Sequence, residues 1–176
     1  MAGVEATGRR RRVPLEQPFE RNDPLVGILE LESGFDGAHS AEDRLRAIAD
    51  TQPPFAHLLD ARIVTATRDK VTAELLVREE LTNRNGGLHG GAVMGIADNL
   101  GGTATFVNMP AGAGTTTIES KTNFFAAVPA GDIIRAECTP LHRGRTTMVW
   151  QTRIIRGDGK LAAIVTQTQL ITTSRG

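Results

Sequence analysis

The sequence predicts an α+β domain, in which a mainly antiparallel sheet of five to six strands wraps around one long central helix. The main evidence is the order of elements: two strand-like segments, a long apolar segment with helical periodicity, then four more strand-like segments. Short turns separate the strands, and short turns join antiparallel neighbours. Because a helix that is apolar nearly all round must be buried, we place it at the centre of the domain.

Residues 1–40 are predicted to be a poorly ordered N-terminal extension, and residues 41–176 a single domain with a leading helix. The extension holds three prolines and four consecutive arginines at 9–12, with little periodicity. We interpret the arginines as a solvated tail, because no aromatic residues are interleaved with them. Ser40 has the chemistry of a helix N-cap, and the proline pair at 53–54 ends the helix that follows.

The strands are predicted from the alternation of apolar and polar residues with a period of two. The segments are 61–67, 71–78, 115–125, 132–141, 146–155 and 161–171. The last four are expected to form a meander, because residues typical of turns separate them. Both faces of the last two strands carry apolar residues, which predicts a helix on one face and a subunit contact on the other.

The balance of charge excludes a global field that would attract nucleic acid or an anionic membrane. Lysine plus arginine number 20, and aspartate plus glutamate also number 20. The single cysteine, Cys138, fits a reducing compartment, and we interpret it as a packed core thiol. We find neither a signal-peptide pattern nor an apolar run of the ~20 residues needed to cross a bilayer. We therefore expect a soluble, cytoplasmic protein with neither nucleic-acid nor membrane partners.

A polar, glycine-rich loop at 83–91 leads into the central helix, which is predicted to begin near Gly90. Gly90 and Gly91 carry no side chain, so another molecule can come close to their backbone amides. The first amides of a helix are unpaired and lie at the positive end of the helix dipole. This end of the helix is therefore a predicted site for developing negative charge, such as a carbonyl oxygen under attack.

Asp98 is an acid in the middle of the apolar helix, and a carboxylate is rarely buried without a partner or a task. It could supply a nucleophile, or the base that activates water. It follows Gly90 by eight residues, about 12 Å along the helix axis. The two residues of one chain therefore cannot both touch one carbonyl group. If both act, the site requires a homodimer with antiparallel helices.

The run at 88–99, preceded by Asn83 and followed by Pro-Ala-Gly-Asp at 129–132, resembles the hotdog-fold acyl-CoA thioesterases of the PaaI type. The similarity covers about residues 57–172 and leaves out the N-terminal extension. It implies the hotdog fold and hydrolysis of an acyl or aroyl thioester of coenzyme A. It also implies self-association as a dimer, with further pairing into a tetramer expected.

A second resemblance concerns the segments 140–144 and 148–151, which are similar to the aroyl-CoA and menaquinone-pathway branch of these enzymes. Members of that branch usually carry glutamate at the position of Asp98, and some carry serine or threonine at the position of Gly102. The difference leaves the reaction class unchanged, and it leaves open the choice between aryl and aliphatic substrates.

The resemblance also implies roles for individual residues. The amide of Gly90 would polarise the thioester carbonyl, Asn83 would help hold that oxygen or the water, and Asp98 of the partner chain would attack or activate water. Thr117 falls where some relatives place a serine that holds the water. His89 has two readings, contact with the substrate or bracing of the loop. Two of these residues also have a purely structural interpretation. Asn83 could cap the amides of the loop, and Asp98 could form a hydrogen bond between the helix and a loop.

Further binding residues are expected around the coenzyme A moiety. Gly91 offers an amide beside that of Gly90, and Arg143 and Arg145 could pair with phosphates, although turn arginines are often simply exposed. No cofactor is expected, because coenzyme A is part of the substrate. No metal is expected either, because the four histidines show no paired-ligand spacing.

Two alternatives to a thioesterase remain at this point. One is a hotdog hydratase or dehydratase, which would need an acid and a base flanking the acyl chain. The other is a non-catalytic acyl-CoA-binding or regulatory module. The glycine amides and Asp98 suit attack on a carbonyl group better than either alternative.

Overall fold

The computed structural model describes residues 41–173, which form one six-stranded antiparallel sheet with a long helix packed against it. This arrangement confirms the predicted fold class. The expectations for the N-terminal extension, including the arginines at 9–12 and the N-cap at Ser40, lie outside the described residues.

Three α-helices are present in the described part of the chain: α1 (Ala41–Asp50), α2 (Pro54–Leu59) and α3 (Gly90–Asn108). The leading helix α1 and the central helix α3 were predicted, whereas the short α2 was not. Pro54 is the first residue of α2, where a backbone N–H would have no partner inside the helix. The proline pair that we predicted to end α1 therefore also begins α2. The segment after α1 is fastened to α3, because Gln52 Oε1 accepts a 2.7 Å hydrogen bond from Asn99.

The six strands lie close to their predicted positions. They are β1 (Arg62–Ala66), β2 (Val71–Leu76), β3 (Ala113–Phe124), β4 (Ile133–Arg143), β5 (Thr147–Ile155) and β6 (Leu161–Thr173). A single 3₁₀ turn, Glu79–Leu81, lies between β2 and the glycine-rich loop. All five pairings between neighbouring strands are antiparallel.

The order of strands across the sheet is β1-β2-β4-β5-β6-β3. The prediction that the last four strands form a simple meander is therefore wrong for β3, which pairs with β6 and forms one edge of the sheet. The segment 125–132 carries the chain from this edge to β4. It runs beneath the glycine-rich loop, and the amide of Leu88 donates a 2.8 Å hydrogen bond to the carbonyl of Val128. Residues 129–131 in this segment were predicted only as a turn, but the segment also holds the glycine-rich loop in place through hydrogen bonds.

The core lies between the sheet and one face of α3. Ile96, Leu100 and Trp150 are at most 1% exposed, and the indole of Trp150 donates a 2.7 Å hydrogen bond to Thr105 on the helix. The expectation that α3 is buried all round is wrong for the single chain. A strip on its other side is exposed or half-buried, at Gly91, Met94, Gly95, Asp98 and Gly102. The sheet covers only one side of the helix, and α2 covers Gly95 through Phe55, so the rest of this strip is left open.

Candidate active site

The glycine-rich loop is held by hydrogen bonds within its own backbone. Asn83 and Gly87 close it with an N–H to carbonyl bond of 2.8 Å, and Gly86 adopts a positive φ of 74° that favours glycine. The Asn83 side chain accepts a 2.8 Å hydrogen bond from the Asn85 amide through Oδ1. The capping alternative for Asn83 is therefore present, while its Nδ2 group donates to no acceptor within residues 41–173.

His89 is the N-cap of α3. Its Nδ1 accepts a 2.9 Å hydrogen bond from the amide of Gly91, and its own amide donates to the carbonyl of Leu81. The bracing role is thus visible in the structure. Contact between His89 and a substrate stays a prediction. Contact between the Gly91 amide and a substrate also stays a prediction, although this amide already donates to His89 Nδ1.

The amide of Gly90 is left without an acceptor in the part of the chain that the structure describes. The carbonyl of His89 takes the amides of Ala92 and Val93, and the His89 side chain takes that of Gly91, so these early amides are satisfied. Gly90 alone presents a free N–H at the positive end of a 19-residue helix. This geometry matches that of a donor awaiting an oxygen with negative charge.

An open cleft of about 410 Å³ lies beside this free amide. Asn83, Gly87 and Gly90 line one side. The apolar remainder is contributed mainly by the end of β3, the segment after it and the start of β6, with Phe124, Phe125, Ala126, Ala127, Val128, Ala162 and Ala163. No charged side chain lines the cleft among the described residues, so it suits an uncharged, apolar group.

Asp98 lies outside that cleft, on the exposed strip of α3. The expectation of a buried carboxylate is wrong for the single chain, because Asp98 lies at the edge of the contact between α3 and the sheet and stays exposed. Its Oδ1 accepts two hydrogen bonds of 2.8 Å, from the hydroxyl of Thr117 and from Nε2 of Gln167. Its Oδ2 accepts none within residues 41–173. Thr117 and Asp98, which we named as separate candidates, are therefore in direct contact.

Gln167 and Gln169 are the residues that the sequence analysis missed. Both are 1% exposed on the inward face of β6, and both reach Thr117. The sequence did contain a signal for them. Positions 167 and 169 continue the alternation that begins at Ala163 and Val165, so all four side chains point to the buried face of β6. Polar amides at inward positions of a strand require partners, which points to a polar site.

Arg143 and Arg145 lie at the turn between β4 and β5 and not at the cleft. Arg143 is already engaged, with a 2.8 Å ion pair to Asp69 and hydrogen bonds to the Arg68 carbonyl and to Asn108 near the end of α3. Arg145 is exposed. Their contact with coenzyme A phosphates stays a prediction.

Residues 41–173 contain neither a group of metal-ligating side chains nor a helix that could span a membrane. No cluster of three histidine, cysteine, aspartate or glutamate side chains is placed to hold a metal ion. No helix there combines the length and the hydropathy needed to cross a bilayer.

Comparison with known proteins places this geometry in context. Residues 85–163, which include most of the glycine-rich loop, all of α3 and Asp98 but not Asn83, match the family described as the thioesterase superfamily. A protein of Saccharolobus solfataricus named as an esterase is 30% identical over 125 residues, covering 69% of this chain and 88% of that protein. The 1,4-dihydroxy-2-naphthoyl-CoA hydrolase of Escherichia coli is 29% identical over 103 residues, covering 58% and 75%.

Solved structures give the same picture of the fold. A mutant thioesterase from Pseudomonas aeruginosa has a TM-score of 0.68 at 26% identity, covering 78% of this chain and 96% of that one. The PaaI protein of Escherichia coli, from the phenylacetic acid degradation operon, has a TM-score of 0.65 at 18% identity, covering 74% and 95%.

Proposed function

As this chain belongs to the thioesterase superfamily and is an acyl-CoA thioesterase, we propose that it hydrolyses an acyl- or aroyl-coenzyme A thioester with Gly90 and Asp98 as its reactive groups. The products are a free acid and coenzyme A. The observation that carries the residue assignment is the free amide of Gly90 beside an apolar cleft. The similarity to a naphthoyl-CoA hydrolase supports coenzyme A as the thiol.

Gly90 would stabilise the oxygen on which charge develops. When a nucleophile adds to the thioester carbonyl, its oxygen becomes negative, and an amide at a helix N-terminus is a fixed donor for that charge. Asn83 would be the second donor, because its Nδ2 has no acceptor within residues 41–173 and its side chain is anchored through Oδ1. The acyl or aroyl group would then occupy the apolar part of the cleft.

Asp98 would supply the other half of the reaction, from a second copy of the chain. Within one chain it lies about 12 Å along the helix axis from Gly90, too far for both to act on one carbonyl group. Its unpaired Oδ2 is the oxygen available to attack the carbonyl carbon or to take a proton from water. If Oδ2 attacks, the thiolate of coenzyme A leaves, water then hydrolyses the anhydride formed on Asp98, and a proton of that water ends on the sulfur. If Oδ2 takes a proton from water, the hydroxide adds to the carbonyl carbon, the thiolate leaves, and that proton ends on the sulfur.

The second copy would pack on the exposed strip of α3. That strip combines the exposed apolar side chain of Met94 with Gly102, where a Cβ would meet nothing within 4 Å among the described residues, and it adjoins the free edge of β3. Ile118 on this edge strand is 56% exposed. A long unpaired edge strand is a template for another strand. Antiparallel pairing about a two-fold axis would bring each Asp98 towards the partner's Gly90 amide. The dimer and a further pairing into a tetramer are part of this proposal, as is the pairing of Arg143 and Arg145 with coenzyme A phosphates.

The direct test is thiol release from a panel of acyl- and aroyl-coenzyme A compounds. Wild type should release free coenzyme A, and Asp98→Asn should lower the rate by a factor of about 10³ or more, because the carboxylate is lost. Asp60→Asn is a matched control, since Asp60 is exposed and its left-handed backbone suits asparagine. Binding without turnover would favour a binding module. Loss of enoyl absorbance without thiol release would favour a hydratase.

The shared site has its own test. Chains with Asp98→Asn and chains with Gly90→Pro should both be inactive alone. After mixing and exchange, about half of the dimers contain both kinds of chain, and each has one intact site of two. Activity should therefore return to about a quarter of the wild-type value. A mixture that stays inactive although mass measurement shows mixed dimers would contradict the shared site.

A further inference from the structure

Two buried glutamines of β6, Gln167 and Gln169, lie next to the candidate acid Asp98 and the threonine that contacts it. Gln167 Nε2 is 2.8 Å from Oδ1 of Asp98 and 3.1 Å from the Thr117 hydroxyl. A carboxylate only accepts hydrogen bonds, so the amide nitrogen of Gln167 must face it. The carboxyl group is thus held by a donor from β6 as well as one from β3.

Gln169 acts one step further back. Its Oε1 accepts a 2.9 Å hydrogen bond from Thr115, and its Nε2 donates a 2.8 Å bond to Thr117. The hydroxyl of Thr117 receives amide donors from both glutamines, so its lone pairs are occupied. Its single proton has one acceptor left, which is Oδ1 of Asp98. Gln169, together with Gln167, therefore helps to keep the Thr117 hydroxyl in the orientation that donates to Asp98.

The buried amide of Gln167 has an unfavourable effect on stability. Oε1 of Gln167 is buried and has no partner within the described residues, and an unsatisfied buried acceptor is unfavourable. A Cβ on Gly101 would lie 2.5 Å from that oxygen and 2.8 Å from the amide carbon, so only glycine leaves room for the amide at this point of α3. An apolar side chain at position 167 would avoid the cost, which argues that the amide serves the acid it contacts.

We propose that Gln167 and Gln169 are positioning residues that hold Asp98 through Oδ1 and so present Oδ2 to the reaction. The inference rests on the proposed function. Gln167 acts on the carboxylate directly, and Gln169 acts only through Thr117. Because Gly101 has no side chain, it leaves room on α3 for the Gln167 amide.

The experiment measures kcat and KM for Gln167→Met and Gln169→Met, with Gln151→Met as control. Gln151 lies on the neighbouring strand β5, paired with Thr166, and is not among the described residues that hydrogen-bond to Asp98. Methionine keeps the length of the side chain and removes the donor. We expect Gln167→Met to lower kcat about tenfold and Gln169→Met severalfold, with KM unchanged in both. The unfolding midpoint of Gln167→Met should not fall, because this substitution removes the buried, unsatisfied Oε1.

A double substitution separates positioning from a general structural role. In a Thr117→Val chain, Gln169 has no route to Asp98, so adding Gln169→Met should leave kcat unchanged. Multiplying effects in the double variant would overturn the proposal. So would an unchanged kcat in Gln167→Met, or a raised KM alone.

A second variant covers the case in which the methionine chains do not fold. Gly101→Ala displaces the Gln167 amide from the helix side and should reproduce the tenfold loss in kcat; full activity in this variant would overturn the proposal. Undiminished thiol release by Asp98→Asn is a different result, since it would overturn the proposed function itself.

Discussion

The hydroxyl of Thr117 on the edge strand β3 donates a 2.8 Å hydrogen bond to Asp98 on the exposed strip of α3. The two residues are 19 positions apart in the chain. Their contact joins the two surfaces that we propose to meet a second copy. The side chain that orients the acid therefore lies on the strand that would form the subunit interface.

Replacing Thr117 tests this contact. Thr117→Val keeps the shape of the side chain and removes the donor, so kcat should fall about 10- to 100-fold, the range for a hydrogen bond to a charged group. Thr117→Ser keeps the hydroxyl and should stay within about threefold of wild type. Steady-state kinetics on the best coenzyme A thioester makes the comparison. Equal activities in the two variants would show that the hydroxyl is not needed.

Gly90→Pro removes one N–H group from the candidate site with little other change. Proline is tolerated at the first position of a helix, and His89 before it has the extended conformation, with φ −67° and ψ 136°, that a following proline requires. We expect kcat to fall about 10²- to 10³-fold, as when an oxyanion donor is lost. Gly90→Ala is the control, since it retains the amide and its Cβ meets only the tip of the Phe124 ring, at 3.2 Å. A fully active, folded Gly90→Pro chain would remove the amide from the mechanism.

His89 offers a choice between bracing and substrate contact that stability and kinetics can separate. His89→Ala removes the cap acceptor of α3 and should lower the free energy of unfolding by about 1 kcal/mol. His89→Asn supplies a shorter acceptor at the same position and should restore most of that stability. If activity follows stability across the two variants, bracing is sufficient. A chain restored in stability but not in activity would indicate contact with the substrate.

Cys138 predicts a loss of stability at alkaline pH. Burial raises the pKa of this thiol to about 11, from an ordinary value of 9.0. Because the folded-state pKa is the higher one, the unfolded chain loses the proton first. The contribution of the protonated Cys138 thiol to the free energy of unfolding is complete below pH 9, and it is lost as the pH rises from 9 to about 11. Denaturant unfolding at several pH values should show this slope, and Cys138→Ala should reduce it. A thiol that reacts rapidly with a disulfide reagent in the native protein at pH 7 would contradict the burial.

The periodicity of the sequence was enough to locate most elements. The apolar segment after Gly91 predicted a helix, and α3 ends at Asn108, just before Pro110 as expected. The strands followed from alternation, because a half-buried strand must alternate. The position of β3 did not follow, since hydrogen bonding between strands distant in the chain leaves no local pattern. The same holds for the Gln169–Thr117–Asp98 contacts, which join a helix to two strands.

The sequence by itself determined the family, the fold class and the residue types of the candidate site, because the glycines after Asn83 and the acid at Asp98 are local features of one segment. Tertiary structure alone decided that Gly90 is the amide left free, that Asp98 lies exposed at the edge of the contact between α3 and the sheet, and that Thr117 and Gln167 hold it. The physical reason is that donors and acceptors are paired by distance in space. A sequence states which groups must find partners, and only the packed chain decides which partners they find.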